Sequence, residues 1–104
     1  MAIRQLLQEE IENSLRMEQS YIEAMQKLPV GSLVRRRIKG HDYYYLVFRE
    51  KGRVRSVYKG RPASEELKRS REACVLRRKY RGLLAQSRRQ VAFLRRMLRG
   101  KSAV

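Results

Sequence analysis

The sequence has few of the residues on which disulfide-linked, metal-binding and membrane proteins depend. Its 104 residues include one cysteine, one histidine, two prolines and no tryptophan. A single cysteine excludes an internal disulfide and a cysteine-rich zinc site. The longest apolar run, residues 43–48, is far shorter than the roughly 18 residues that suggest a membrane span. We therefore expect a cytoplasmic protein that binds no metal and does not enter a membrane.

Acidic residues are also scarce. The chain has 10 Asp and Glu against 26 Lys and Arg, which gives a formal net charge of +16. By segment, residues 1–32 carry a net −2, residues 33–60 +7 and residues 61–104 +11. Uncompensated charge of this size raises the local concentration of polyanions around a protein. Nucleic acid is therefore the leading expected partner, ahead of an anionic membrane surface or an acidic protein.

Recognisable catalytic groups are missing as well. His41 and Asp42 are neighbours, but there is no second histidine and no carboxylate pair at a usable spacing. Neither a phosphate-binding loop nor a dinucleotide fingerprint is present. A role in the turn between two strands accounts for both His41 and Asp42. We expect a protein that is not an enzyme and has no cofactor.

Periodicity predicts one α+β domain over residues 1–104, made of a helix, a three-stranded antiparallel β-meander and a second helix. The first helix covers residues 2–28, because glycine and proline are absent before Pro29 and apolar residues recur every three or four positions. The sheet covers residues 33–59, and its turns contain Gly40-His41 and Lys51-Gly52. The predicted strands are residues 33–39, 42–50 and 53–59.

The last helix is predicted over residues 64–99, with Ser64 as a plausible N-cap and Gly100 at its end. At 1.5 Å per residue it would be roughly 50 Å long, which exceeds what a small sheet can cover. The part of the last helix that the sheet does not cover should therefore pair with the first helix as an antiparallel hairpin. The apolar stripe predicted for this pairing comprises Leu76, Tyr80, Leu83, Leu84, Val91, Leu94 and Leu98, while Leu67 and Cys74 would rest under the sheet.

Alternation along the strands determines which side chains share a face of the sheet. If the apolar positions are buried together, the even-numbered residues form the inner face and Tyr44 points into the core. The odd-numbered face then carries Arg35, Arg37, Tyr43, Tyr45, Arg49, Arg53, Arg55 and Lys59. A two-residue turn would instead pair even with odd positions, so this arrangement needs a longer loop or a bulge at Gly40 and Gly52.

Such a face has the chemistry of a nucleic-acid surface. Arginine matches phosphate oxygens and the guanine edge, and tyrosine rings can stack on bases. The alternative is a solvated face on which the tyrosines shelter arginine stems. On the last helix, arginines occupy a sector beside the apolar stripe: Arg71, Arg77, Arg78, Arg81, Arg88, Arg89, Arg95, Arg96 and Arg99. Those from 77 to 96 are our expected contacts with the nucleic-acid backbone, although an outer helix face can be charged without any ligand.

The stretch GSLVRRRIKGHDYYYLVFREKGRVRSVYKG, residues 31–60, resembles a family of short uncharacterised bacterial proteins with a YYYL strand between two helices. Members often carry a cysteine-rich insertion in the first hairpin. This chain has only residues 39–42 there, so the resemblance implies no metal site. The architecture is also similar to integrase N-terminal arm-binding modules and AP2-type regulators. That likeness implies DNA rather than RNA, with Arg35, Arg37, Tyr43, Tyr45, Arg53 and Arg55 in the major groove.

Two functional classes follow from these patterns. The first is a non-enzymatic nucleic-acid-binding protein, with DNA the expected ligand, that uses the basic sheet face and the arginine stripe. The second is a helical interaction or assembly module that binds an acidic partner or another copy of itself, so that a homodimer through the hairpin is an open alternative. A weaker third possibility is an accessory or inhibitor that covers the cleft of a nucleic-acid enzyme.

Overall fold

The computed structural model describes residues 2–102 and has the predicted order of elements. The five elements are α1 (Ile3–Gln26), β1 (Ser32–Ile38), β2 (His41–Glu50), β3 (Arg53–Gly60) and α2 (Ser64–Ser102). The α+β class is therefore confirmed. Helix α2 begins at the predicted residue but extends beyond Gly100, because a glycine does not by itself end a helix. Neither helix contains, within the described residues, a stretch long and apolar enough to cross a bilayer.

The chain divides into two compact units. The hairpin unit combines Met1–Lys27 with Arg78–Val104, and the sheet unit is Leu28–Arg77. Helix α2 contributes its N-terminal part to the sheet unit and its C-terminal part to the hairpin unit.

In the hairpin unit, α1 and α2 run antiparallel and bury a narrow apolar seam. The seam core is a cluster of buried residues that brings together Leu7 and Ile11 of α1 with Val91 and Leu94 of α2. Further along, the Ser87 hydroxyl donates a buried 3.0 Å hydrogen bond to the carbonyl oxygen of Ser14. Next, the rings of Tyr21 and Tyr80 approach to 6.2 Å. Because numbers rise on one helix as they fall on the other, the pairing is antiparallel as predicted.

The seam follows a heptad repeat. Its positions are separated alternately by four and three residues, which is the spacing of a coiled coil: residues 7, 11, 14, 18, 21 and 25 on α1, and 80, 84, 87, 91, 94 and 98 on α2. The predicted stripe differs from this seam, since Leu76 is 38% exposed and Leu83 is only half-buried. Ser87 is buried in the seam although the predicted apolar stripe did not include it. A small hydroxyl fits between closely packed helices when its hydrogen bond is satisfied.

In the sheet unit, the three strands pair in the order β1-β2-β3 through two tight turns. Lys39-Gly40 and Lys51-Gly52 each have φ values of 51° and 79°, as two-residue turns of type I′ require. The first turn thus lies one residue earlier than predicted. Two-residue turns align even with odd positions, and Leu33 accordingly pairs with Leu46 and Phe48 with Arg55. The predicted all-even inner face is therefore wrong.

The N-terminal part of α2, from Leu67 to Cys74, packs on one face of this sheet. The backbone N–H of Leu33 donates to the Ser70 hydroxyl at 3.1 Å, and the Ser32 hydroxyl lies 3.2 Å from the Cys74 sulfur. Leu67 lines a groove with Leu33 on the same side. The predicted placement of Leu67 and Cys74 under the sheet is confirmed.

Gly31 sets the entry into β1. Its φ of +82° favours glycine, and a Cβ at this position would lie 2.7 Å from the carbonyl oxygen of Val47. The close approach of the two backbones therefore depends on the missing side chain.

Candidate nucleic-acid interface

Two surfaces carry the residues predicted to bind nucleic acid, one in each unit. In the sheet unit, Tyr44 faces α2, where it lines the groove with Leu33 and Leu67. Tyr43 and Tyr45 point to the opposite side by strand alternation. We call that opposite side the tyrosine face. The predicted separation of Tyr44 from its two neighbours is confirmed.

Four of the five arginines predicted for the open face of the sheet do not share it with the tyrosines. Arg35 pairs with Tyr44 and Arg37 with Asp42, while Arg55 pairs with Phe48 and Arg53 with Glu50. All four therefore lie on the side that α2 covers in part. The register, which is fixed by the two-residue turns, accounts for this correction.

Lys59 is also displaced from the predicted face. A bulge leaves it without a direct partner, because Tyr45 pairs with Tyr58 while Tyr44 pairs with Gly60. Lys59 instead lines a groove with Leu33, Leu46 and Ser70. Of the residues predicted for the open face, Tyr43, Tyr45 and Arg49 remain there.

Other residues, which the parity argument had assigned elsewhere or omitted, complete the tyrosine face. The Tyr58 ring lies 5.4 Å from that of Tyr45 and 6.2 Å from that of Tyr43. The Arg36 guanidinium stands 4.9 Å above the Tyr45 ring centroid. That of Arg61 stands 5.8 Å above Tyr43.

His41 closes one end of this cluster. Its ring is 6.4 Å from that of Tyr43, and its Nδ1 is 3.0 Å from an Nη2 of Arg61. The histidine thus holds Arg61 over the tyrosine, which is a positioning contact within the face.

The acids of the sheet lie on the other side. Asp42 and Glu50 are at even positions of β2, where they approach Arg37 at 3.9 Å and Arg55 at 3.7 Å. No acidic residue of strands β1 to β3 projects from the tyrosine face. Positive charge there is not neutralised from within the sheet.

In the hairpin unit, exposed arginines form a row on one side of α2. They comprise Arg78, Arg81, Arg88, Arg95 and Arg99, and all but Arg78 directly follow a seam position. We call this set the arginine row. At 1.5 Å per residue it extends over about 31 Å. Arg89 and Arg96 directly follow Arg88 and Arg95 of this row. They place a second line of arginines beside the C-terminal half of the row.

Internal contacts engage two of the arginines predicted on α2. Arg88 binds Glu18 at 3.0 Å across the hairpin. Arg77 is half-buried and donates from Nη2 to the carbonyl oxygen of Pro29, so it serves the sheet unit rather than an open surface. Among the described residues, ion pairs involve only Arg37, Arg55 and Arg88, which leaves most of the basic side chains without a carboxylate partner.

The opposite side of the hairpin is almost uncharged. Along the part of the hairpin formed by residues 3–17 and 83–97, the positions one residue before the heptad positions form a second pair of rows: 3, 6, 10, 13 and 17 on α1 and 83, 86, 90, 93 and 97 on α2. Lys79, which precedes the seam position Tyr80, lies outside this part. Glu10 is the only charged residue in this uncharged strip. A groove lined by Met17, Leu83 and Gln90 confirms that both rows face the same side. Ile3, Leu6, Phe93 and Met97 are exposed at its open end.

No group of three or more His, Cys, Asp or Glu within residues 2–102 is arranged to hold a metal ion. The lone cysteine, Cys74, is half-buried beneath the sheet.

Comparison with known proteins places the chain in a family. Residues 2–69 match the model of a family described as "Domain of unknown function (DUF6788)", and the chain belongs to that family. The match includes α1, the whole sheet and the beginning of α2, whereas the arginine row lies beyond it. Searches of curated proteins and of solved structures each find no match.

Proposed function

We propose that this member of a family of unknown function is a non-enzymatic nucleic-acid-binding protein, with DNA the expected ligand. The arginine row is the observation that carries the proposal. Its side chains are exposed and lie along one side of a single helix, and the sequence has no acidic residue between positions 73 and 102. A DNA duplex carries one negative charge per roughly 1.7 Å of axis, so a row of about 31 Å can meet several phosphates at once.

An ordinary solvated helix face would carry both signs of charge. The five glutamates of α1 could have supplied that balance, but in the described hairpin only Glu18 forms an ion pair with the row. The tyrosine face adds Arg36, Arg49 and Arg61 on a second acid-free surface. Both surfaces therefore favour a polyanion over a neutral partner.

The direct test is a titration of labelled duplex DNA at several salt concentrations, followed by fluorescence anisotropy. Each phosphate contact should add about 0.9 to the slope of log K against log salt. Binding that weakens steeply with salt is expected, and a flat response would contradict the proposal. Parallel titrations with single-stranded DNA and with RNA identify the preferred ligand.

A matched pair of variants separates position from net charge. Arg81→Gln with Arg95→Gln removes two cations from the arginine row, and Arg4→Gln with Arg16→Gln removes two from α1. The first pair should lower the salt slope by up to about 1.8, and the second should change it little. If the α1 pair weakens binding as much, the chain attracts DNA by net charge alone and the arginine row is not the site.

A second candidate function is assembly of two copies through the uncharged strip. In a chain of net charge +16, this strip exposes Ile3, Leu6, Phe93 and Met97 without a single cation. Two copies could meet there with little repulsion and keep both arginine rows exposed. Light scattering after size exclusion should show a dimer that Leu6→Gln with Phe93→Gln dissociates. Leu15→Gln, which alters an exposed leucine on the arginine side, is the control.

A further inference from the structure

The tyrosine face offers chemistry that the arginine row lacks. Three rings, Tyr43, Tyr45 and Tyr58, form a contiguous group with centroid separations of 5.4 and 6.2 Å. The planes are tilted by 58° and 42°, so each ring presents its own face. Tyr58 is the most accessible, with 57% of its surface exposed.

We propose that the tyrosine face binds single-stranded DNA, with unpaired bases stacked on Tyr43, Tyr45 and Tyr58 and phosphates held by Arg36 and Arg61. This inference rests on the proposed nucleic-acid binding and specifies the form of ligand that the sheet takes. Every base has a π-face, so such a platform tolerates different sequences.

Two observations favour unpaired bases over a duplex. In a duplex the bases show only their edges, and arginine is the side chain that matches those edges best. The register places Arg35, Arg37, Arg53 and Arg55 on the other side of the sheet. The ring spacing also exceeds the rise of about 3.4 Å per nucleotide of a duplex strand, so the platform suits an extended strand.

The arginines are already placed for phosphate binding. The guanidinium carbon of Arg36 lies 4.9 Å from the Tyr45 ring centroid in a cation–π contact, and that of Arg61 lies 5.8 Å from the Tyr43 centroid. A guanidinium stacked on a ring keeps N–H groups at its edge for phosphate oxygens. The missing acids on this face leave that charge available.

The surroundings of the rings favour DNA over RNA. Val34 pairs with Tyr45 and Ile38 with His41, so aliphatic side chains border the platform. A ribose hydroxyl pressed against them would lose its hydrogen bonds to water without a replacement, whereas deoxyribose has no such group.

Cross-strand tyrosine pairs also stabilise a sheet, and the experiment must separate that role from binding. The change is Tyr58→Ala, with Tyr58→Phe as the control that keeps the ring. Each is titrated with an oligo(dT) of about 16 nucleotides, within the size that one small domain covers, and with duplex DNA of equal length. Thermal unfolding confirms that each variant is folded, and Tyr58→Val replaces the alanine variant if it is not.

The expected result is that Tyr58→Ala weakens oligo(dT) binding by about fivefold to 150-fold, the factor equivalent to the roughly 1 to 3 kcal/mol of one stacked base. Tyr58→Phe should bind like the parent chain, and duplex binding should be unchanged in both. Equal oligo(dT) affinities for folded Tyr58→Ala and the parent would overturn the inference. So would a parent that binds the duplex alone, an outcome that leaves the arginine row as the site. Tighter binding of oligo(rU) than of oligo(dT) would overturn the assignment to DNA.

Discussion

Leu94 tests the geometry of the hairpin on which the arginine row depends. Its side chain is 9% exposed and packs in the seam cluster with Leu7, Ile11 and Val91. Truncating a buried leucine to alanine costs about 2 to 5 kcal/mol. Because a two-helix seam is open along both edges and can relax, we expect Leu94→Ala to cost about 2 to 3 kcal/mol.

That loss is large for this chain. A domain of about a hundred residues unfolds with a free energy of about 5 to 15 kcal/mol, and a narrow core points to the lower part of the range. With a urea dependence of about 1 to 3 kcal/mol per molar, the midpoint of unfolding should fall by about 0.7 to 3 M. Far-UV circular dichroism during urea titration measures this shift.

Leu76→Ala is the matched control, since the same atoms are removed from a side chain that is 38% exposed. We expect a loss below about 1 kcal/mol, as for most surface substitutions.

A double-mutant cycle then tests the register. Leu7→Ala and Leu94→Ala should couple by about 0.5 kcal/mol or more, whereas Leu7→Ala and Leu84→Ala should be nearly additive, because the two α2 positions are about 15 Å apart. Equal costs at Leu76 and Leu94, or stronger coupling to Leu84, would refute the heptad seam.

Two further predictions concern a pair of glycines, Gly31 and Gly82, and a pair of tyrosines in the sheet. Gly31→Ala should destabilise the chain by more than about 1 kcal/mol, because Gly31 has a positive φ and lies close to the backbone of Val47. Gly82→Ala should instead stabilise the chain by about 0.5 to 1 kcal/mol, since the added Cβ would contact nothing. Thermal unfolding of both variants tests this. Tyr44→Ala should cost about 2 kcal/mol or more through lost packing against α2, whereas Tyr45→Ala should cost about 1 kcal/mol, and comparable urea midpoints for the two would contradict the assigned faces.

The order of elements was predictable because each has an unambiguous local signal. Glycine and proline are missing from residues 3–26, and the two Lys-Gly pairs punctuate the strands. The residues of the hairpin seam were harder to predict from the sequence. A stripe judged by hydrophobicity alone included Leu76 and omitted Ser87, since burial of a serine depends on a hydrogen bond to Ser14 on the other helix. The regular alternation of three and four residues was the signal that could have corrected it.

Which residues share a face of the sheet depends on the number of residues in each turn. Lys39-Gly40 and Lys51-Gly52 both suit type I′ turns, and that fact alone requires Leu33 opposite Leu46 and Arg55 opposite Phe48. The apolar pattern favoured the opposite pairing, because Val34, Ile38 and Val54 were assumed to be buried. They are exposed, on the same side of the sheet as Tyr43 and Tyr45. Hydrophobicity and turn geometry conflicted, and turn geometry prevailed because it fixes hydrogen-bonded backbone positions.

The proposed ligand also bears on why so small a core coexists with so large a charge. No described side chain is buried below 2% exposure, and repulsion among the basic residues opposes compaction. A polyanion that binds only the folded chain offsets both effects, by about 2.7 kcal/mol at a hundred times its dissociation constant. On this argument the charge that weakens the free protein is the charge that stabilises the complex. Residual nucleic acid would then mask the cost of Leu94→Ala, so stability must be measured on protein freed of it by high salt and nuclease.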